Sequence, residues 1–168
     1  FYHIQILRRK KENPDVGCNS ILINSYFIRD QKHLNRVKEE IILLCKLYNA
    51  RAYINLNVRD KEKLVLPMMN RLVTYLENKQ YASLHTMFNS VCDSNPAKKE
   101  RFWIIDVDKL EMSSEYLNEL VTNIDSFSPK GSKLKTIIPT VNGWHIITKP
   151  FNSLEFSEIY PELDVKKD

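Results

Sequence analysis

Two carboxylates, Asp106 and Asp108, close an apolar run, Phe102-Trp103-Ile104-Ile105, with only Val107 between them. Carboxylate oxygens are hard ligands, and two aimed the same way repel unless a cation sits between them. A divalent metal that takes hard oxygen ligands is the candidate. The run is rich in aromatic and β-branched side chains and reads as a buried strand. Side chains alternate faces along a strand, so Asp106 and Asp108 share one face and Val107 takes the other. A plainer reading gives one Asp to the cap of the next helix and leaves the other solvated. A second group lies in Thr140-Val141-Asn142-Gly143-Trp144-His145. Asn-Gly between apolar runs is a hairpin signal, which puts His145 just after the turn on a strand of the same sheet. Read singly, His145 is more simply a satisfied strand histidine. The third group is Asp164, flanked by Leu163 and Val165.

These residues need elements to hold them. In the second half, a helix starting at Ser113 or Ser114 carries Tyr116, Leu117, Leu120, Val121 and Ile124 at helical spacing. Strands over 134–138 and 144–148 flank the Asn-Gly turn, and a short helical piece surrounds Phe156. The first half predicts strands over 2–7 and 20–28, then a helix capped by Asp30 with Leu34, Val37, Ile41, Leu44, Cys45 and Tyr48 in a stripe. Residues 51–59 alternate apolar and polar, predicting a strand with Arg51, Tyr53, Asn55, Asn57 and Arg59 on one face. That face suits phosphates or bases, or is the polar outer face of an edge strand. Asp60 caps a long helix running past Pro67 to Tyr81, followed by a second helix at about 82–91. The polar segment 92–99 is the best internal boundary. It is short, so the expectation is a single domain, 1–168, in which an αβ module (1–98) packs on the second half (99–168).

At 168 residues and 19.8 kDa the chain can bury one sizeable core. Hydrophobic residues at 43% and charged residues at 27% are ordinary for a globular protein, and the net charge of +4 permits a nucleic-acid partner without demanding one. Cys18, Cys45 and Cys92 are widely spaced, with no Cys-x-x-Cys pair and no His at zinc-ligand spacing. They read as reduced thiols, mostly buried, in a cytoplasmic (intracellular) protein, and zinc is rejected. No apolar run reaches the length of a membrane span, so no membrane partner is expected. Arg8, Arg9, Lys10 and Lys11 interrupt the amino end before a secretory signal could form. A chain that starts at Phe1 and ends Lys166-Lys167-Asp168 reads as an excerpt of a longer protein with further domains.

An acidic pair at a strand end, a Gly-x-His hairpin and a later apolar-Asp-apolar step together resemble the catalytic core of the archaeo-eukaryotic primase superfamily, the primase–polymerases. The resemblance covers the second half by motif and the whole chain in outline. It implies an α+β fold: an RRM-like antiparallel or mixed sheet backed by helices, preceded by an αβ module. It implies a metal-dependent nucleotidyltransferase that primes or extends nucleic acid on a template from nucleoside triphosphates. Asp106, Asp108 and Asp164 would then be the catalytic carboxylates holding Mg²⁺ or Mn²⁺, with His145 on the triphosphate. Gly143 stands where the family has Ser, so Thr140, Asn142 or backbone N–H groups would replace that hydroxyl. Lys149, with Lys133 or Lys135, would steady phosphates. Arg51, Asn55, Arg59, Arg8 and Arg9 are candidates for template contacts, making binding salt-sensitive. Two other classes fit part of the pattern. One is a non-catalytic single-strand-binding module of the same fold, stacking bases on Tyr53, Trp103 or Trp144. The other is a glycosyltransferase whose Asp-x-Asp binds the metal of a nucleotide-sugar, a fold with no role for the Gly-x-His hairpin.

Overall fold

The computed structural model describes residues 1–94, 101–108 and 113–167. The chain divides into two compact units, 1–98 and 99–168. Most of the polar boundary segment lies outside the described residues. The fold is α+β, with two antiparallel sheets and five α-helices among the described residues.

In the first unit, β1 (Tyr2–Arg9) is the centre of a three-stranded sheet, flanked by β2 (Ser20–Ile28) and β3 (Arg51–Ile54). Helix α1 (Gln31–Leu47) starts where Asp30 accepts the His33 N–H at 2.7 Å, the expected cap. Its stripe packs on one sheet face, where Ile4, Ile6, Ile28 and Ile41 are buried with Leu34, Val37, Leu44 and Cys45 against them. Tyr48 ends the helix exposed instead. On the opposite face of β1, the His3 ring nitrogens lie 3.2 Å from Asp93 Oδ1 and 3.2 Å from Asn89 Oδ1, both on α3 (Met87–Ser94). Helix α2 (Lys61–Glu77) begins at the Asp60 cap and continues through Pro67, then stops at Glu77 short of Tyr81. A 3₁₀ turn, Tyr81–Thr86, joins it to α3, so the second helix starts later than the sequence pattern predicts.

Strand β3 is also shorter than its alternation predicts. Ile54 pairs with Ile4, and β1 has only Tyr2 and His3 left beyond that point. With so little of β1 left to pair along, the chain leaves the sheet after Asn55, and Asn57 and Arg59 become buried rather than sharing a polar face with Arg51. Arg59 is 1% exposed, and its backbone N–H reaches the Phe1 carbonyl at 2.7 Å.

The second unit runs β4 (Trp103–Val107), α4 (Ser114–Ser126), β5 (Leu134–Pro139), β6 (Trp144–Thr148), α5 (Ser153–Ile159) and β7 (Asp164–Lys167). Its sheet order is β5-β6-β4-β7, antiparallel at every step. Both helices cover one face. Ile105, Val107 and Ile146 point there and meet Leu120 and Ile124 of α4 and Phe156 of α5, all at most 1% exposed. Burying each such side chain is worth about 1.5–3 kcal/mol, so this face fixes the register of the sheet. Alternation then sends Ile104, Asp106, His145, Asp164 and Lys166 to the opposite face.

Candidate active site

Register decides which residues meet on that face. Asp106 is paired with His145 of β6 on one side and with Asp164 of β7 on the other. Directly opposed residues of antiparallel strands stand roughly 4.5–5.5 Å apart at Cα, so the three form one row across the sheet. His145 Nε2 is 3.3 Å from Asp106 Oδ1. Two like charges placed directly opposite would destabilise the strand pair. Lys166 relieves this. It lies two residues beyond Asp164 on the same face, and its ammonium donates to Asp106 Oδ2.

Neither Asp caps the following helix. Ser113 does, accepting the Tyr116 N–H at 3.1 Å, and Glu115 in the first turn is held below the usual carboxylate range by its own backbone N–H and by the Ser113 hydroxyl. Asp108 follows the last residue of β4 and is exposed; residues 109–112 lie outside the described residues. Asp108 thus flanks the row and is not a member of it.

The hairpin joining β5 to β6 spans 140–143 and is closed by the Thr140 N–H donating to the Gly143 carbonyl at 2.8 Å. Asn142 is exposed at its tip, Thr140 is half-buried and Gly143 is buried. Lys149 follows the far end of β6 and is exposed, its backbone N–H on the Lys133 carbonyl at 2.9 Å. The hairpin and Lys149 are therefore at opposite ends of β6. Lys135 lies 5.9 Å from the Phe102 ring centroid.

Lys133 has a structural role in place of the expected phosphate contact. It is 3% exposed, and its ammonium donates to the carbonyls of Ile124 (2.8 Å), Asp125 (3.1 Å), Phe127 (3.1 Å) and Gly131 (3.1 Å). Two of those carbonyls belong to the last turn of α4, where unsatisfied acceptors and the negative end of the helix dipole favour a cation. Asp125 locks the loop by accepting the Lys133 backbone N–H at 2.8 Å. Gly131, at φ +129°, supplies a conformation that a side chain would strain.

In the first unit, the guanidinium groups expected to face a template have partners of their own. Arg8 pairs with Asp15 at 2.7 Å and Arg51 with Glu12 at 3.2 Å. Arg9 donates to Tyr53 Oη at 3.0 Å, a bond that raises its already high pKa. Asn55 is half-buried, its backbone N–H on the His3 carbonyl at 2.9 Å, and Arg59 is buried. The set is therefore not one continuous cationic face. Of the aromatic candidates for stacking, Trp103 packs on Phe151 and lies under the Lys167 ammonium, and Trp144 lies against the core.

Among the described residues, no three His, Cys, Asp or Glu side chains converge closely enough to hold a metal ion. The donor chemistry nevertheless fits a hard divalent cation. Asp106 and Asp164 are opposed oxygen donors, and Asp106 already attracts one cation, the Lys166 ammonium. Lys166 is the site residue that motif reading overlooks. Its signal was the two-residue period from Asp164, legible only once residues 164–167 are known to be a strand. All three cysteines are free: Cys18 is exposed, Cys45 half-buried and Cys92 buried. No helix among the described residues is long and apolar enough to cross a membrane. No family model, no curated protein and no solved structure matches this chain.

Proposed function

We propose that the second unit carries the nucleotide-handling site of a primase–polymerase-like nucleotidyltransferase, which adds nucleotides from nucleoside triphosphates to nucleic acid on a template. One observation carries this reading: Asp106, His145 and Asp164, drawn from three separate segments, stand in a single row on the sheet face away from α4 and α5. The β-α-β-β-α-β order, with β6 inserted between β4 and β5 in an antiparallel sheet, supports an RRM-like unit as its frame.

In this reading Asp106 and Asp164, with Asp108 at the strand end, hold Mg²⁺ or Mn²⁺. The ion, when bound, neutralises charge on the attacking and leaving oxygens of phosphoryl transfer. His145 donates from beside Asp106 to a phosphate oxygen rather than binding the ion, because Mg²⁺ prefers oxygen. Thr140 and Asn142 at the hairpin tip offer a hydroxyl and an amide where the Ser of the motif is replaced by Gly143.

A second reading, a single-strand-binding module without catalysis, is favoured by one feature. Lys166 already neutralises Asp106 without metal. Primer extension with Mn²⁺, run on DNA and RNA templates with both nucleotide types, separates the two. Catalysis predicts that Asp106→Asn lowers incorporation by about a thousandfold, about 4 kcal/mol of barrier. Equal incorporation by wild type and variant removes catalysis. No incorporation together with salt-dependent single-strand binding gives the binding module.

A further inference from the structure

Both oxygens of the Asp106 carboxylate are engaged by the protein itself, Oδ2 by the Lys166 ammonium and Oδ1 at 3.3 Å from His145 Nε2. The two partners differ in mobility. The Lys166 side chain is 51% exposed while Asp106 is 20% exposed, so the carboxylate is anchored in the sheet and the ammonium ends a flexible stem in water. Ion pairs of this kind contribute little and exchange readily. A divalent ion on Asp106 would stand next to that ammonium, and the repulsion between the two weakens metal binding for as long as Lys166 stays in place.

We propose that Lys166 is a built-in counter-ion that holds Asp106 in the nucleotide-free protein and yields to a divalent ion when a nucleoside triphosphate arrives. The triphosphate carries more negative charge than one divalent ion neutralises, and it offers a lysine ammonium a strong set of acceptor oxygens. Lys166 then passes from carboxylate to phosphate, and the ion takes its place. Metal and nucleotide binding are thereby coupled, each strengthening the other by the same factor. The inference rests on the reading of Asp106 as an ion ligand, and it gives the lysine a positioning role.

Mn²⁺ titration of the whole chain, following the free-ion electron paramagnetic resonance signal without nucleotide, tests it separately from activity. Lys166→Met is expected to bind Mn²⁺ roughly tenfold more tightly than wild type, since a unit positive charge has left the site. Lys166→Arg should stay at the weak wild-type level, and Asp106→Asn should abolish the tight binding of Lys166→Met. Adding a non-hydrolysable nucleoside triphosphate, with the Mn²⁺ it chelates by itself subtracted in a protein-free titration, should bring wild type up to the level of Lys166→Met. If Lys166→Met binds no more tightly while Asp106→Asn still removes the binding, the lysine has no such role and the site reading stands. If Asp106→Asn leaves the Mn²⁺ affinity of Lys166→Met unchanged, the ion is elsewhere and the site reading falls too. Absence of Mn²⁺ binding in both wild type and Lys166→Met overturns both.

Discussion

The two sheets satisfy their charged side chains in different ways. In the first unit, Arg8 finds Asp15 and Arg51 finds Glu12, acids supplied by the loop between β1 and β2. In the second, Asp106 finds His145 and Lys166, each from a neighbouring strand, with Asp164 in register beside it. Loop acids next to strand arginines need only a turn to meet them, so those ion pairs say little about a ligand. A row built across three strands needs the whole sheet. It also opposes two like charges, Asp106 and Asp164, which Lys166 offsets from the same face of β7. The second unit also contains the contrast between two lysines. Lys133 is enclosed by carbonyls that hold a loop on a helix end, whereas Lys166 reaches the site from solvent.

The largest effect expected from that contrast is on stability. Lys133→Met takes the ammonium from the carbonyls of Ile124, Phe127 and Gly131, while Asp125 keeps the Gly131 N–H, and should cost about 3 kcal/mol in denaturant unfolding. Lys166→Met should cost less than about 0.5 kcal/mol in the same measurement. Equal losses would erase the distinction between a structural lysine and a site lysine.

A smaller effect belongs to the first unit. Burial, and secondarily the charge of Asp93, pushes the Cys92 thiol up to about 11 from its ordinary value of 9.0. The folded form therefore keeps its proton where the unfolded thiol has lost it. Stability from this source is complete below pH about 9 and declines as pH rises toward 11, by about 3 kcal/mol at most. Chemical unfolding followed between pH 8 and 11 should show a shallower decline in Cys92→Ala. At pH 8 a thiol reagent should modify exposed Cys18 well before Cys92. Equal rates at the two cysteines would show the first unit's core to be open.

The smallest effects concern the arginines. With their guanidiniums shared with Asp15 and Glu12, Arg8→Gln and Arg51→Gln should each change single-strand affinity less than about threefold, and stability by about 0.5 kcal/mol or less. Glu12→Gln should raise affinity slightly by releasing Arg51. A tenfold loss from either arginine substitution, with a lowered salt slope, would make the first sheet a primary phosphate contact and reverse the comparison.

Much of this molecule could be read before any coordinates. The Asp30, Asp60 and Ser113 caps, the β2 limits, the 140–143 hairpin and the stripe of α1 each depend on a few adjacent residues. Period and capping chemistry express those neighbours directly, and the Asp106, His145 and Asp164 candidates came from the same local patterns. Other features depended on partners remote in the chain. The alternation of 51–59 is real, yet β3 ends at Ile54, where only Tyr2 and His3 of β1 remain to pair along. Lys133 looks like any surface lysine until the end of α4 closes around it. Strand register placed Asp106 between His145 and Asp164 and delivered Lys166 to its carboxylate, because one buried face of the sheet admits a single alignment. Residue types and local periods thus determined which groups were present. Only the packed sheet decided which of them touch, since hydrogen-bond register between strands is a long-range choice that no short stretch of chain encodes.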